Sequence, residues 1–317
     1  MRTLYPPVEP ATTEALDVGD GHTLHVEQCG RLDGIPVIFL HGGPGGGCKA
    51  DHRQFFDPAH YRVFLVDQRG AGRSRPLGGV TANTTQHLIA DLERIRRRYA
   101  IERWLLFGGS WGAALALAYA EAYPERVSGM VLRGTFLARR RDVAWFFGDG
   151  ANRLLPRQWA RFETAVEAPP GIELAEFLHD GIFADDPVRV ERIARAWEAW
   201  SSAVVMYSLE EAGTGAAGGA LEIAIAKARI EMHYARHGYF LEDNQLLAAA
   251  DRLPRVPTVI VHGARDITCP SESAWAVHRA QPGSRLEILH TAGHLSSEKP
   301  MIDALIRATD ELVDRLR

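Results

Sequence analysis

The sequence predicts an α/β protein built on a doubly wound, mostly parallel β-sheet with an inserted helical cap. Short apolar segments recur along the 317-residue chain, each bounded by turn residues, with amphipathic helical patterns between them. These segments lack the polar alternation of half-exposed strands, which indicates strands buried on both faces. Between residues 138 and 245 the helical patterns continue without a clear strand.

Six apolar segments are predicted strands: Pro36–Leu40, Arg62–Val66, Trp104–Phe107, Met130–Arg133, Thr258–His262 and Arg285–Leu289. A glycine-rich or polar cluster follows nearly every one of them. In a parallel sheet the carboxyl ends of the strands lie at one edge, where α/β proteins bind their ligands. A functional site is therefore expected at that edge.

Two helices are predicted within the core. Thr85–Tyr99 has apolar residues at helical spacing with charges between them, and the Ala- and Leu-rich segment Ala113–Ala122 stops just before Pro124. The alternation of strands and helices predicts a doubly wound sheet.

The chain divides into a core, residues 1–137 and 246–317, and an insertion, residues 138–245. The insertion is rich in Trp and Phe and is predicted to form a helical cap over the strand ends. Within it, the small-residue segment Gly213–Gly219 is predicted to be a flexible loop.

The composition argues against several classes of partner. The formal net charge is −4, with 36 Lys and Arg against 40 Asp and Glu, so no basic field is available for nucleic acid or an anionic membrane. Neither a secretory segment nor a long apolar run is visible. Three cysteines without CxxC spacing are typical of a reducing compartment, so we expect a cytoplasmic protein.

A nucleophile motif stands between a predicted strand and a predicted helix. Gly108-Gly109-Ser110-Trp111-Gly112 matches G-x-S-x-G, in which the serine occupies a sharp, strained turn. Glycines two residues to either side remove bulk that would clash. The turn also points a helix N-terminus at the reaction centre, where negative charge develops. This context favours a catalytic serine over an ordinary glycine-rich turn.

A serine nucleophile needs a base and a group that orients the base. In this kind of fold the chain order is Ser, then acid, then His. Asp266 and His294 satisfy that order, and both follow predicted strands at the edge that carries Ser110. Weaker candidates end a strand directly or precede the serine: His290, His262 and Asp67.

The glycine-rich segment His41–Gly47 reads HGGPGGG and follows the first predicted strand. Acyl transfer passes through an oxyanion that needs two N–H donors. We expect one from Trp111, the residue after the nucleophile, and one from Gly43. A phosphate-binding loop is the weaker interpretation, because neither G-x-x-x-x-G-K-[ST] nor G-x-G-x-x-G is present.

Together these motifs resemble the proline iminopeptidase (prolyl aminopeptidase) family of serine peptidases, which have the α/β-hydrolase fold. The resemblance covers nearly the whole chain. Its most specific parts are HGGPGGG, the segment Asp67–Ser74 (DQRGAGRS) and Gly108–Gly112. Further matching parts are Leu4–Pro7, Val131–Gly134, Ala228–Glu231, Val261–Gly263 and Ala292–His294.

The resemblance implies release of N-terminal proline from peptides, without a metal or cofactor. It assigns the attack on the prolyl carbonyl to Ser110, proton transfer to His294 and orientation of the base to Asp266. The expected partner is a small peptide with a free N-terminal proline. Gly43 and Trp111 are expected to hold the oxyanion.

The resemblance also implies residues that bind the substrate. A cationic prolyl nitrogen requires a buried carboxylate, and the ring requires an apolar pocket. Glu231 matches a family carboxylate of the cap, and aromatic pocket positions are matched by Phe136, Phe146 and Phe147. An exposed helix residue is the competing interpretation of Glu231.

The chain departs from the family pattern at one position. Members commonly carry W-x-x-W-E, whose glutamate also binds the amine, but here Ser201 follows Trp200. Glu198 lies one helical turn earlier and is a candidate substitute. The hydrolytic residues are unaffected by this change, so the reaction class is more secure than the specificity for proline.

Three rival interpretations follow from the same residues. The first is a carboxylesterase or amidase with a remodelled cap, and the second is a catalytically silent binding protein on this fold. The third, a metallohydrolase, is weak because His233 and His237 have i, i+4 spacing without the glutamate of H-E-x-x-H.

Overall fold

The computed structural model describes residues 1–209 and 220–316. Its centre is an eight-stranded sheet whose strands are β1 Thr12–Gly19, β2 His22–Gly30, β3 Ile35–Leu40, β4 Tyr61–Asp67, β5 Trp104–Gly109, β6 Val127–Arg133, β7 Thr258–Gly263 and β8 Arg285–Leu289. Their order is β1-β2-β4-β3-β5-β6-β7-β8. The predicted loop Gly213–Gly219 lies outside the described residues.

All six predicted strands are present, and neighbours among them pair in parallel. Both faces of the sheet are buried. In β3, Ile38 and Leu40 belong to one core cluster, whereas Val37 and Phe39 belong to a second. Because every position of such a strand meets apolar neighbours, the sequence shows a continuous apolar run rather than alternation.

The sequence reasoning missed the antiparallel part of the sheet, formed by β1 and β2. The two strands are joined by Asp20 and Gly21, with φ of 57° and 77°, which is the geometry of a tight type I′ hairpin. The Asp-Gly signal was therefore available. It was hidden because β1 is largely exposed and β2 buries Glu27, which pairs with Arg53.

The helices of the described residues are α1 Thr85–Arg98, α2 Trp111–Ala122, α3 Arg140–Phe146, α4 Ala151–Leu154, α5 Pro156–Val166, α6 Leu174–Ile182, α7 Pro187–Val205, α8 Leu221–Arg236, α9 Gln245–Ala248, α10 Glu272–Ala280 and α11 Lys299–Leu316. Short 3₁₀ helices span Ala50–Phe55, Pro124–Arg126, Gly238–Phe240 and Ala250–Arg252. Apolar residues of α1, α2 and α10 join one core cluster, and those of α11 join the other. The sheet is therefore covered on both faces, as predicted.

The described part of the segment between β6 and β7 contains helices and no strand, and several of these helices share an apolar core. Apolar residues of α5, α6, α7 and α8 pack together, with Trp197 and Trp200 buried among them. Residues of these helices and residues at the strand ends line one cavity, so this helical layer lies beside the strand ends. No helix among the described residues is long and apolar enough to cross a membrane.

Candidate active site

Ser110 stands at the turn between β5 and α2 with φ of 58° and ψ of −124°, a strained conformation for a residue with a side chain. Two close approaches explain the flanking glycines. A Cβ on Gly108 would lie 2.2 Å from the carbonyl oxygen of Gly112, and one on Gly112 would lie 2.0 Å from that of Leu40. The spacing of the motif is therefore a steric requirement of the turn.

Asp266 and His294 are brought together from two loops at the same edge of the sheet. The Nδ1 atom of His294 lies 2.7 Å from Oδ2 of Asp266, and Oδ1 accepts the backbone N–H groups of Thr268 and Cys269, both at 2.9 Å. Burial favours a higher pKa for Asp266, but His294 and the N–H donors outweigh it and hold the pKa below its usual value. An ionised Asp266 fixes the tautomer in which Nδ1 carries the proton.

Ser110 and His294 line the same cavity, of about 440 Å³, between the strand ends and the helical layer. Arg133 connects them. Its backbone carbonyl accepts the N–H of Ser110 at 2.8 Å, and its half-buried guanidinium donates to the carbonyl of His294. The serine turn and the histidine loop are thus held by one residue at the end of β6.

The weaker candidates have other partners. His262 is buried, its Nε2–H donates to the carbonyl of Cys269 at 2.7 Å, and its Nδ1 accepts the N–H of Thr135. His290 is exposed. Asp67 accepts two hydrogen bonds from Arg73, at 2.9 Å each. These contacts are structural. That leaves His294, which lines the cavity, with the buried Asp266 behind it as the remaining candidate pair.

Glu298 holds the loop that carries His294, and the sequence reasoning missed it. Its carboxylate accepts the backbone N–H groups on either side of the histidine, from Gly293 at 2.9 Å and Leu295 at 3.1 Å. It also accepts the hydroxyl of Ser208, at the end of the helical layer. A glutamate four residues after a histidine is no recognised motif, so only the tertiary structure identifies this contact.

The expected oxyanion donors, Gly43 and Trp111, belong to the glycine-rich loop and to the helix that follows Ser110. Trp111 is the first residue of α2, so its N–H has no carbonyl within the helix to bond. Gly43 lines the cavity with φ of 120°, a backbone conformation that favours glycine. The loop is braced by His41, whose Nδ1 lies 2.9 Å from the carbonyl of Gly42.

Glu231 faces the cavity from α8 with a side chain that is only 12% exposed, in line with the amine-binding interpretation. Its Oε2 accepts the indole N–H of Trp197 at 2.6 Å, and its Oε1 lies 3.7 Å from Nζ of Lys227. Burial raises the pKa of Glu231 above its usual value, with Lys227 and Trp197 acting in the opposite direction. The exposed-residue interpretation of Glu231 is therefore wrong. Lys227 was missed, although its i, i+4 spacing from Glu231 was visible.

The predicted aromatic residues Phe136, Phe146 and Phe147 all line the cavity. Phe147 packs on Trp197 with ring centroids 4.8 Å apart, and Phe136 packs edge-on against Tyr239 at 4.9 Å. These rings make the part of the cavity beside Glu231 apolar, as a prolyl ring requires.

Ser201 also lines the cavity, whereas Glu198 does not. The Glu198 carboxylate lies 3.4 Å from Nη1 of Arg195, and its side chain is 22% exposed. The expectation that Glu198 replaces the missing carboxylate is therefore wrong, because Glu198 does not line the cavity. Positions three apart on a helix differ by about 60° in direction, and in α7 this difference is enough to leave Glu198 outside the cavity that Ser201 lines.

Comparison with known proteins defines the class. Residues 35–299 match the family described as alpha/beta hydrolase fold. An esterase from Rhodococcus sp. ECU1013 is similar with a TM-score of 0.60 and 18% identity, covering 98% of this chain and 100% of that one. A proline iminopeptidase-related protein from Thermus thermophilus gives a TM-score of 0.59 and 24% identity, covering 96% and 98%. The fold is that of an α/β-hydrolase.

Comparison of the sequence with curated proteins shows which family of α/β-hydrolases the chain is similar to. A protein named proline iminopeptidase from Xylella fastidiosa strain Temecula1 is 45% identical over 314 residues, covering 99% of this chain and all of its own length. Another protein of that name, from Arabidopsis thaliana, is 42% identical over 315 residues, covering 98% of this chain and 82% of its own length. The chain belongs to the proline iminopeptidase family.

Proposed function

We propose that the protein is a serine exopeptidase that releases N-terminal proline from peptides through an acyl-enzyme. One observation supports this above all: Ser110, His294 and the carboxylate of Glu231, which is only 12% exposed, line a single cavity. A peptide with a free N-terminus carries a cation, and a carboxylate that faces the cavity can bind that cation by a charge-assisted hydrogen bond. Membership of the proline iminopeptidase family supports the same activity.

The mechanism assigns one role to each residue of the triad. The Ser110 hydroxyl attacks the prolyl carbonyl carbon and gives its proton to Nε2 of His294, while Nδ1–H donates to Asp266. When the C–N bond breaks, His294 returns the proton to the leaving amine. Water then attacks the ester by the same route in reverse and frees proline and Ser110.

Two backbone N–H groups stabilise the oxyanion in both steps, those of Gly43 and Trp111. They need no reorganisation during the reaction because the glycine loop and the helix N-terminus are already in place. The prolyl nitrogen lies toward Glu231, and the ring lies among Phe136, Phe146 and Phe147. This orientation puts the first peptide bond, and no later one, beside Ser110.

We propose further that residues 138–245 act as a cap and that residues 1–137 with 246–317 form the catalytic core. Support comes from the separate apolar core of the described cap helices. The cavity receives residues from both parts, Ser110 from the core and Glu231 from the cap. Because the cap covers the cavity, only the end of a peptide chain can enter it. An internal segment of a folded protein is excluded.

A reducing compartment such as the cytoplasm is the proposed location. The three cysteines Cys29, Cys48 and Cys269 are free thiols. An odd, unpaired set of thiols is typical of proteins kept under reducing conditions.

The test is a kinetic series on N-terminal aminoacyl-naphthylamides with the wild type and Ser110→Ala. We expect prolyl-naphthylamide to give the highest kcat/KM and the variant to lose at least about a thousandfold in activity. Labelling by a fluorophosphonate should require Ser110. Turnover of all aminoacyl groups at similar rates would contradict proline release as the activity, and labelling of the variant would contradict the nucleophile.

A further inference from the structure

Lys227 lies at the amine-binding end of the cavity, and the proposed mechanism gives it no role. It stands on α8 one helical turn before Glu231, with Nζ 3.7 Å from Oε1. Its side chain is 40% exposed, whereas that of Glu231 is only 12% exposed. Lys227 therefore reaches from the cavity toward a carboxylate that solvent barely touches.

Both oxygens of Glu231 are already engaged. Oε2 accepts the indole N–H of Trp197 at 2.6 Å, and Oε1 faces the ammonium group of Lys227. Exposed i, i+4 ion pairs contribute little, but a pair with a buried member is screened much less. In the substrate-free protein, Lys227 is the cation that compensates the buried charge of Glu231.

Within the described lining of the cavity, no second carboxylate is free to receive a substrate amine. Among the described residues that line the cavity, the only carboxylates are Glu231 and Asp142. Asp142 accepts two hydrogen bonds from the Arg139 guanidinium, each at 2.8 Å. Ser201 adds a neutral hydroxyl where the family pattern has a glutamate. The amine-binding end thus has one carboxylate, and that carboxylate has a cation of its own.

We propose that Lys227 is a specificity-determining residue that neutralises Glu231, so that the site takes uncharged acyl groups as well as the prolyl group. The proposal rests on the serine peptidase function stated above. A prolyl group brings a second cation to a single carboxylate and must displace or tolerate Lys227. A neutral acyl group of the same shape leaves the Lys227–Glu231 pair intact and fills the same aromatic pocket.

The experiment compares two naphthylamides that differ in one group. Prolyl-naphthylamide carries the ring nitrogen, and cyclopentanecarbonyl-naphthylamide has a ring of the same size without it. The ratio of their kcat/KM values is measured at about pH 7, where an α-amino group is largely protonated and a free imidazole largely neutral. We expect Lys227→Met to raise this ratio, prolyl over cyclopentanecarbonyl, about tenfold, in the range of a hydrogen bond to a charged group.

Two further variants separate a charge effect from a structural one. Lys227→Gln, which also removes the charge, should raise the ratio in the same direction. Arg161→Met removes a cation from an exposed position of α5 outside the cavity and should leave the ratio unchanged. A structural role of Lys227 would instead lower both kcat/KM values together.

The outcomes distinguish the inference from the proposed function. Wild-type turnover of both compounds, with a ratio that rises in both Lys227 variants, supports the inference. An unchanged ratio, or no turnover of the cyclopentanecarbonyl compound by the wild type, overturns it and leaves the peptidase function intact. Failure of the wild type to cleave prolyl-naphthylamide overturns the function and the inference together.

Discussion

The two walls of the cavity are built in different ways. The core wall, Gly43, Ser110 and His294, consists of loops at strand ends that backbone hydrogen bonds and close glycine contacts hold in place. The cap wall, Glu231, Lys227 and Ser201, projects from helices and depends on side-chain charge. A substitution in the core wall disturbs a geometry that many contacts determine. One in the cap wall changes the charge of the site and leaves the fold alone.

The strongest test of the core wall is Asp266→Asn. An amide cannot accept two N–H groups and the His294 proton as a carboxylate does, so the wrong tautomer of the histidine is favoured. We expect kcat to fall by about 10³- to 10⁴-fold with little change in KM. Steady-state kinetics on prolyl-naphthylamide, with circular dichroism to verify folding, provide the measurement. A loss below tenfold in a folded variant would assign the orienting role elsewhere.

The corresponding test of the cap wall is Glu231→Gln. Removing the charge should lower kcat/KM for prolyl-naphthylamide by about 10- to 100-fold, because a hydrogen bond to a charged group is lost. Hydrolysis of the p-nitrophenyl ester of a small neutral acid should change much less, since the triad is untouched. Equal losses on both substrates would mean that Glu231 supports the structure of the site instead of binding the amine.

Glu298→Ala tests whether the loop that carries His294 needs the hydrogen bonds it makes to the Glu298 carboxylate. The substitution removes the acceptor of the N–H groups of Gly293 and Leu295, so the imidazole is held less firmly. We expect kcat to fall about tenfold for prolyl and neutral substrates alike, because a small misplacement of the base affects every acyl group. Glu298→Gln, which keeps one acceptor oxygen, should recover part of the rate. Equal kcat in all three proteins would remove Glu298 from the positioning of His294.

The smallest expected effect comes from Ser201→Glu. A second carboxylate in the cavity allows Lys227 and the substrate amine each to have an anionic partner. We expect KM for prolyl-naphthylamide to fall about three- to fivefold with kcat nearly constant, a modest gain because a buried carboxylate also costs desolvation. Ser201→Gln has a similar volume without the charge and should show no such gain. If both variants behave alike, size rather than charge determines the effect.

The Asp67–Ser74 motif shows what a sequence signature does and does not reveal. The motif identifies the family, yet its contacts are structural. The Gln68 side chain accepts the indole N–H of Trp111 at 2.9 Å and donates to the carbonyl of His41 at 3.0 Å. Arg69 forms a buried two-point ion pair with Asp91 of α1. These residues tie the glycine loop, the serine turn and the core helices together without reaching the substrate.

The sequence alone predicted the parallel sheet, which is confirmed, together with the turn at Ser110 and the candidate pair Asp266 and His294. Each depends on local rules: apolar runs make buried strands, glycines permit the strained turn at Ser110, and strand ends share one edge. The hairpin of β1 and β2 was also within reach through its Asp-Gly turn. It was missed because an edge strand with buried polar partners shows no clear apolar pattern.

The charge balance of the site depends on contacts that local sequence rules do not predict. Both oxygens of Glu231 have partners, and Asp142 pairs with Arg139. Glu198 lies outside the cavity, beside Arg195. These arrangements depend on how the helices pack. Glu298 likewise links the loop that carries His294 to Ser208, which lies 90 positions before Glu298 in the chain. The sequence shows which charged residues are present but not which of them are in contact. Their charges act through distance and burial, which the packing of the helices over the sheet alone determines.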